Sequence, residues 1–311
     1  MSRVRQRDSK DERISASRSS CISGLVFEVP LHLTGFFYPV FHERAEHTGS
    51  LGAGLVIEPG LKCVVDEGEG VWFGGEKIDS GPAAHIYAEL GRGFSINLTG
   101  SCIPGAGYAF SASSSIAVAA CFALAGRINT LDAALKAHVS EVKHGTGLGD
   151  VLSIWDGFGL ALRKSPGAPG IGEVESIKIN EEVVVLTSEL GKLPTRDLLS
   201  IHLEKIIEAG KKAYRLFLEN PNLELFLTLS NSFSRALGLV DEKVEEIVKP
   251  VSSMLLGWYV KKRVLVLVAE RRDAAEVAKN IGSYLPVVRV FRPGEVEWRR
   301  YLETIPATRR S

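Results

Sequence analysis

A glycine-rich loop that runs directly into an alanine-rich helix is the stretch best suited to chemistry. Residues 103–114 read IPGAGYAFSASS. Glycines allow phosphate oxygens to approach the main chain, and the free N–H groups and dipole at a helix start favour negative charge. The lysine of the G-x-x-x-x-G-K-[S/T] loop is absent, and a tight turn with a serine helix cap is the alternative. The loop therefore predicts an anion site of a kind that lacks this lysine.

A second stretch, AHVSEVKHGTGLGDV at residues 137–151, presents two carboxylates. His138 and Glu141 are three residues apart on a predicted helix and so share a face, after which a turn with three glycines delivers Asp150 at a backbone bend. A pair of carboxylates presented in this way could serve a metal ion and a hydroxyl group together. The alternative is that Glu141 is a solvated helix residue and that Asp150 caps the next element.

Together with PLHLTGFF at residues 30–37 and SSMLLG at residues 252–257, these stretches resemble the GHMP small-molecule kinases. The loop fits the P-x-G-x-G-[F/L]-G-x-S-[A/S] pattern of that superfamily with one residue fewer before the glycines, and Ala109 stands where a glycine is usual. The opening motif, GSLGAG at 49–54, TGLGDV at 146–151 and the run 163–170 resemble the archaeal pantoate kinases as a family, in order and spacing. The resemblance extends from about Leu25 to Tyr259.

The resemblance implies an α+β, two-domain GHMP kinase-like fold. Its β-rich N-terminal domain would carry the phosphate loop and helices, and a C-terminal α/β sandwich would follow. It also implies transfer of the γ-phosphoryl group of ATP, with Mg²⁺, to the terminal hydroxyl of (R)-pantoate, which gives 4-phosphopantoate for coenzyme A synthesis. The alternatives are a GHMP kinase acting on mevalonate, homoserine or shikimate, and a metabolite-binding protein of this fold without catalysis.

The resemblance assigns the nucleotide and the metal to the loop and its helix. Ser111 is expected to bind the β- and γ-phosphates and Mg²⁺, and Glu141 looks like the carboxylate ligand of that metal. The remaining nucleotide contacts are expected from Pro104, Gly105, Ala106, Gly107, Tyr108, Ala109, Ala112 and Ser113. Asp150 matches the base position. Because an unperturbed aspartate has a pKa of ~4, far below that of an alcohol, we expect Asp150 to orient the hydroxyl and to accept its proton late.

The acceptor carboxylate needs a cation, and Arg163 is the predicted one because a guanidinium can grip a carboxylate with two hydrogen bonds. The other predicted acceptor contacts are His32, Thr34, Ser50, His138 and Thr195. For several of these residues a structural role is the alternative. The two histidines could be hydrogen-bonded core residues, Thr195 a helix cap, and Arg163 half of a surface ion pair.

The elements that must position these residues divide at SPGAPGIG, residues 165–172, because five of its eight residues are Gly or Pro. We predict a disordered tail over 1–23, an N-terminal domain over 24–168 and a C-terminal domain over 169–311. The first domain opens with short strand-like runs up to about residue 97, followed by helices over 111–124 and from Thr130 to just before Gly145. The second is predicted to hold strands near 183–186, 263–269 and 287–291, with helices at 195–218, at 273–281 and up to Gly238.

Composition excludes other classes of function. Lys and Arg number 37, as do Asp and Glu, so the chain lacks the basic field that nonspecific nucleic-acid binding requires. The longest apolar run, residues 116–125, is short of the ~20 residues that cross a bilayer. The four cysteines form no C-x-x-C pair, which indicates reduced thiols in a cytoplasmic protein. ATP and pantoate are the expected partners, and a homodimer is left open.

Overall fold

The computed structural model describes residues 22–191, 193 and 195–304, with only the backbone described at 195 and 201. Residues 1–21 of the predicted tail therefore lie outside the described residues. Ile22 is 1% exposed and packs into a hydrophobic core, so the ordered chain begins before the boundary predicted at residue 24.

The first half of the chain is built around two long antiparallel strands. Its strands are β1 Val26–Val40, β2 Gly49–Asp66, β3 Gly70–Phe73, β4 Glu76–Lys77, β5 Ser95–Thr99, β6 Leu160–Ser165 and β7 Glu173–Ile177. The sequence predicts two short strands in place of β2, because Pro59 and Gly60 resemble a turn. In the structure a register shift opposite Pro30 absorbs both residues, so the strand continues.

Four helices cover this sheet, namely α1 Gly81–Leu90, α2 Phe110–Leu124, α3 Thr130–His144 and α4 Asp150–Asp156. The small side chains of α2 let it pack closely between α1 and α3, and most of the helix is buried. Helix α3 begins at Thr130 as predicted, and its N-cap is Asn129, whose side chain accepts the Asp132 N–H at 2.8 Å. The sequence did not predict α1, although Pro82 in its first turn is a helix-start signal.

The second half adds a smaller antiparallel sheet and its own helices. Its elements are β8 Val183–Glu189, α5 Thr195–Glu219, α6 Leu223–Ala236, α7 Glu242–Val248, a 3₁₀ turn Lys249–Met254, β9 Leu255–Lys261, β10 Val264–Glu270, α8 Ala274–Gly282, β11 Arg289–Pro293 and α9 Trp298–Thr304. Strand β10 pairs with both β8 and β9, which confirms its prediction as a central strand.

Strand β11 joins the two halves. It pairs with β8 on one side and, through Arg292 and Pro293, with β2 on the other, so the strands of the described residues form one sheet of eleven. The last helix returns to the first half, where Trp298 donates to the Glu28 carbonyl at 2.7 Å. The boundary predicted after residue 168 falls in the loop between β6 and β7, which pair with each other. The chain therefore leaves the first sheet only after Ile177.

Among the described residues, no helix combines the length and apolar character that crossing a bilayer requires.

Candidate active site

Two neighbouring clefts open where the halves of the chain meet. The aspartate cleft contains Asp150, Arg163 and Lys261. The loop cleft contains Gly105, Gly107, Ala109, Ser111 and Thr146. Lys262 lines both clefts, so they share a wall.

Asp150 is the first residue of α4, directly after Gly149, and three side chains converge on its Oδ1. The His32 Nδ1 lies at 2.6 Å, the Thr34 hydroxyl donates at 3.1 Å, and the Lys261 Nζ lies at 3.6 Å. Burial by itself would raise the pKa of this carboxyl, but Lys261, the His32 hydrogen bond and Arg163 outweigh burial and hold the pKa well below its usual range. Asp150 is therefore an ionised hydrogen-bond acceptor at neutral pH.

His32 lies behind Asp150 and does not line the cleft. Burial lowers the pKa of its ring to about 4 against the raising effect of Asp150, so the ring is neutral. Because a carboxylate can only accept, the proton is assigned to Nδ1. Among the described residues the buried Nε2 has no hydrogen-bond partner, and it points at Gly54, where any side chain would collide with it. His32 therefore positions Asp150, and its predicted contact with the acceptor stays a prediction.

The sequence analysis did not predict two lysines that line this site. Lys261 is the last residue of β9, and Lys262 begins the turn to β10 with a left-handed φ of 54°. Burial lowers the pKa of the Lys261 ammonium group to about 8, opposed by Asp150. The available signal was a pair of lysines between two apolar strand-like runs, which is a common pattern for a solvated hairpin turn.

Arg163 on β6 lies in the aspartate cleft as predicted, but it is buried and not half of a surface ion pair. Its Nε donates to the Ser50 carbonyl at 3.1 Å and its Nη1 to the Ser153 hydroxyl at 2.9 Å. Within the described residues its Nη2 makes no hydrogen bond. The predicted acceptor contacts Thr34 and Ser50 line the same cleft.

The far wall of the aspartate cleft is apolar. It comes mainly from the second half of the chain and consists of Phe37, Leu198, Phe233, Leu237, Leu239 and Val260. The cleft therefore has one cationic wall and one wall of hydrocarbon.

Ser111 lines the loop cleft, and Glu141, which is buried behind it, is brought to it across 30 positions of sequence. The Ser111 hydroxyl donates to the Glu141 carboxylate, which also accepts the Thr146 hydroxyl at 2.8 Å. Burial raises the pKa of Glu141 to about 7, against the lowering effect of both hydrogen bonds. A hydroxyl and a carboxylate are the oxygen donors that Mg²⁺ takes when phosphates complete its coordination shell. The described residues hold no cluster of three or more acidic, His or Cys side chains that could bind a metal without phosphates.

The two carboxylates flank one glycine. A Cβ on Gly147 would collide with Glu141 Oε2 and would lie 3.7 Å from Asp150 Oδ2. Ser111 in the loop cleft and Asp150 in the aspartate cleft can therefore face a single ligand that spans both, with Glu141 buried behind Ser111.

Several residues predicted to contact the nucleotide do not line the loop cleft, and their contacts stay predictions. The Ala106 N–H is bonded to the Ile103 carbonyl at 3.2 Å, and Ala112 is fully buried. The Ser113 hydroxyl donates to the Pro30 carbonyl at 2.7 Å. Pro104 is exposed but is not among the lining residues.

Tyr108 and Ala109 line the loop cleft with unexpected conformations. The Tyr108 hydroxyl lies 2.8 Å from the Thr187 hydroxyl and donates to Glu189 at 3.0 Å, so its ring ties the loop to β8. Ala109 has φ 59° and ψ 31°, the left-handed region that favours the glycine usual at this position in the family.

The two remaining acceptor predictions have different outcomes. His138 is buried, with its Nε2 2.9 Å from the Thr48 carbonyl, and it lines neither cleft. This position agrees with the core histidine alternative, and its contact with the acceptor stays a prediction. Thr195 is the first residue of α5, but its side chain lies outside the described residues.

Comparison with known proteins gives the following relatives. The pantoate kinase of Thermococcus kodakarensis is 33% identical over 279 residues, which are 82% of this chain and 90% of that protein. A solved structure named as a phosphotransferase related to the CoA biosynthesis pathway superimposes with a TM-score of 0.76 and 27% identity, over 88% of this chain and 98% of the other. The mevalonate kinase of Methanococcus jannaschii shares the fold, with a TM-score of 0.61 and 15% identity, over 88% and 99%. No protein-family model matches the chain.

Proposed function

This chain belongs to the pantoate kinase family of the GHMP kinases, and we propose that its two clefts together transfer the γ-phosphoryl group of ATP to the terminal hydroxyl of pantoate. The observation that carries the proposal is the position of Asp150. An ionised carboxylate held by three side chains lies beside a cleft with one cationic and one apolar wall, next to a glycine loop. That combination suits a small anionic alcohol and a nucleotide at once.

Pantoate matches the aspartate cleft group by group. Its carboxylate is an acceptor for the Nη2 of Arg163, whose other donors fix the guanidinium in place. Its two methyl groups, on the carbon next to the reacting CH₂OH, match the wall formed by Phe233, Leu237 and Leu239. Its terminal hydroxyl then lies towards Asp150 and the loop cleft.

Asp150 orients this hydroxyl by accepting its hydrogen bond. Because the pKa of Asp150 is held low, it is a weak base, and full deprotonation of the alcohol before attack would be steeply uphill. A loose transition state does not need it, since the proton can move late, when the oxygen–phosphorus bond is largely formed. His32 and Thr34 keep the carboxylate in this orientation.

The loop cleft receives the nucleotide phosphates. The main chain at Gly105, Gly107 and Ala109 and the N-terminus of α2 favour anionic oxygens. Ser111 and Glu141 would hold Mg²⁺. When bound there, the ion would supply positive charge that offsets the negative charge of the phosphates.

The other acceptors of this fold suit the site less well. Homoserine carries an ammonium group, which the cations Arg163, Lys261 and Lys262 would repel. Mevalonate and shikimate lack the pair of methyl groups that the apolar wall matches. A non-catalytic role does not explain why Asp150 is held ionised at the junction of the two clefts.

An acceptor screen tests the proposal. The purified protein with MgATP is offered pantoate, mevalonate, homoserine or shikimate in turn, ADP is measured in a coupled assay, and phosphorus NMR locates the new phosphate. We expect turnover with pantoate at its terminal hydroxyl, and none with Asp150→Asn as the control. Turnover with another alcohol and not with pantoate would reject the acceptor, and no turnover with any alcohol would reject the kinase function.

A further inference from the structure

Lys261 is a buried cation beside the reacting carboxylate. Its Nζ lies 3.6 Å from Asp150 Oδ1 and donates to the His32 carbonyl at 2.9 Å, and only 9% of its side chain is exposed. Both partners belong to the first half of the chain, whereas Lys261 ends a strand of the second half. The fold therefore delivers a charge to Asp150 from more than 100 positions away in sequence.

The strand that carries Lys261 contacts both β1 and the glycine loop. Tyr259, two residues earlier, is fully buried and donates to the Leu33 carbonyl at 2.9 Å. On the other side, a Cβ at Gly107 would lie 2.8 Å from the Lys261 carbonyl, so the glycine loop packs directly on this residue. The Lys261 backbone thus packs against the phosphate loop while its ammonium group lies beside Asp150, and the next residue, Lys262, lines both clefts.

The protein does not use the full donor capacity of this ammonium group. An ammonium group has three N–H donors, and Lys261 makes one hydrogen bond and one ion pair at 3.6 Å. Arg163 and Lys262 line the same cleft, and Lys262 also faces Glu141. Burial removes the hydration of the Lys261 ammonium group, so its remaining N–H donors favour an anion that enters the cleft.

We propose that Lys261 is a catalytic residue, whose ammonium group donates hydrogen bonds to the phosphoryl group during its transfer. This inference rests on the proposed function. The acceptor oxygen forms a bond to the γ-phosphorus, the bond from that phosphorus to the bridging oxygen of ADP breaks, and the hydroxyl proton passes to Asp150. Lys261 keeps its own proton throughout and stabilises charge on the phosphoryl oxygens.

The competing explanation is that Lys261 acts only through Asp150, by keeping it ionised. The groups that face the Lys261 ammonium are Asp150, Lys262, Arg163 and the neutral His32. Removing Lys261 would raise the pKa of Asp150 and shift the acidic limb of the pH–rate profile upward. A role only through Asp150 therefore predicts that activity returns on the neutral plateau, where Asp150 is ionised in both proteins.

The test compares Lys261→Met, which keeps the length without the charge, with wild type between pH 5.5 and 7.5. Lys279→Met, on an exposed position of α8, is the matched control. We expect kcat to fall by ~10²–10³ and to stay low at pH 7.5, while the Kd of ATP changes by less than ~10-fold, because the lost donor acts mainly in the transition state. A kcat at pH 7.5 within tenfold of wild type overturns the proposal.

Folding is checked by circular dichroism and thermal unfolding before the kinetics. If Lys261→Met does not fold, Lys261→Gln, which keeps an N–H donor for the His32 carbonyl, is assayed by the same criteria. In Lys261→Ala, added ethylammonium should restore turnover in proportion to its concentration, whereas tetramethylammonium, which has the same charge and no N–H, should not. Equal effects of the two cations would exclude a hydrogen-bonding role for Lys261.

The activity of the wild-type protein in the same assay distinguishes a failure of the proposed function from a failure of the role of Lys261. If wild type does not phosphorylate pantoate, the proposed function fails. If wild type is active and Lys261→Met is nearly as active, only the role of Lys261 fails.

Discussion

The apolar wall of the aspartate cleft makes a quantitative prediction about acceptor choice. Pantoate differs from 2,4-dihydroxybutanoate by two methyl groups, and burying a methyl or methylene group contributes ~0.8 kcal/mol. Two buried methyls therefore favour pantoate by ~1.6 kcal/mol, which is ~15-fold in kcat/KM at 1.4 kcal/mol for each tenfold. Replacing Phe233 by Ala opens one side of the wall, so about half of this energy is lost and the preference falls to ~4-fold.

The assay is the ratio of kcat/KM for the two acceptors, measured on the same protein sample. Phe233 is buried against Phe37, with ring centroids 5.9 Å apart, so Phe233→Ala also lowers the free energy of unfolding, by ~3–5 kcal/mol. A ratio cancels any loss of folded protein, because both acceptors meet the same folded fraction. Phe41→Ala, which removes the same side chain from a 61% exposed position, is the matched control and should keep the wild-type ratio.

Two results would refute this reasoning. A wild-type preference below ~3-fold would mean that the methyl groups are not buried in the complex. An unchanged ratio in Phe233→Ala would mean that they are buried elsewhere.

Three further predictions follow from the same site. Asp150→Ala and Glu141→Ala should each lower pantoate-dependent ADP formation by ~10² or more, and losses below tenfold in well-folded variants would contradict their roles. Ala109→Gly should raise the free energy of unfolding, measured by urea titration, by up to ~1 kcal/mol. Glycine removes the strain of a left-handed φ at this position, and this gain exceeds the cost of the greater entropy that glycine gives the unfolded chain. A lower free energy of unfolding would contradict this prediction. His32 has a pKa lowered from 6.5 to about 4, so its neutral form is favoured by folding and stability falls as the pH drops from about 6.5 to 4. Between pH 6.5 and 4, His32→Asn should lose on the order of 3 kcal/mol less unfolding free energy than wild type does. An equal loss in the two proteins would count against a buried neutral ring.

Much of the first half of the site could be predicted from sequence because its signals are local. A glycine loop entering a helix, and a carboxylate after a run of glycines, are patterns within about 15 residues, and they predict an anion site and the carboxylates Glu141 and Asp150, while the resemblance adds Ser111. Periodicity and the positions of Gly and Pro likewise predicted helices α2 and α3 and strand β10. The family resemblance added the acceptor class, which no local pattern carries.

What only the tertiary structure decided is which way each side chain faces and which distant segments meet. His32 lies on the same motif as Thr34, yet Thr34 reaches the cleft while the His32 ring turns behind Asp150 towards Gly54. Lys261 looked like a turn lysine, but pairing of β9 with β10 and the contact of Tyr259 with β1 bring it to Asp150. The physical reason is that a local pattern specifies backbone preference, whereas strand register and the joining of two sheets through β11 depend on the packing of the whole chain.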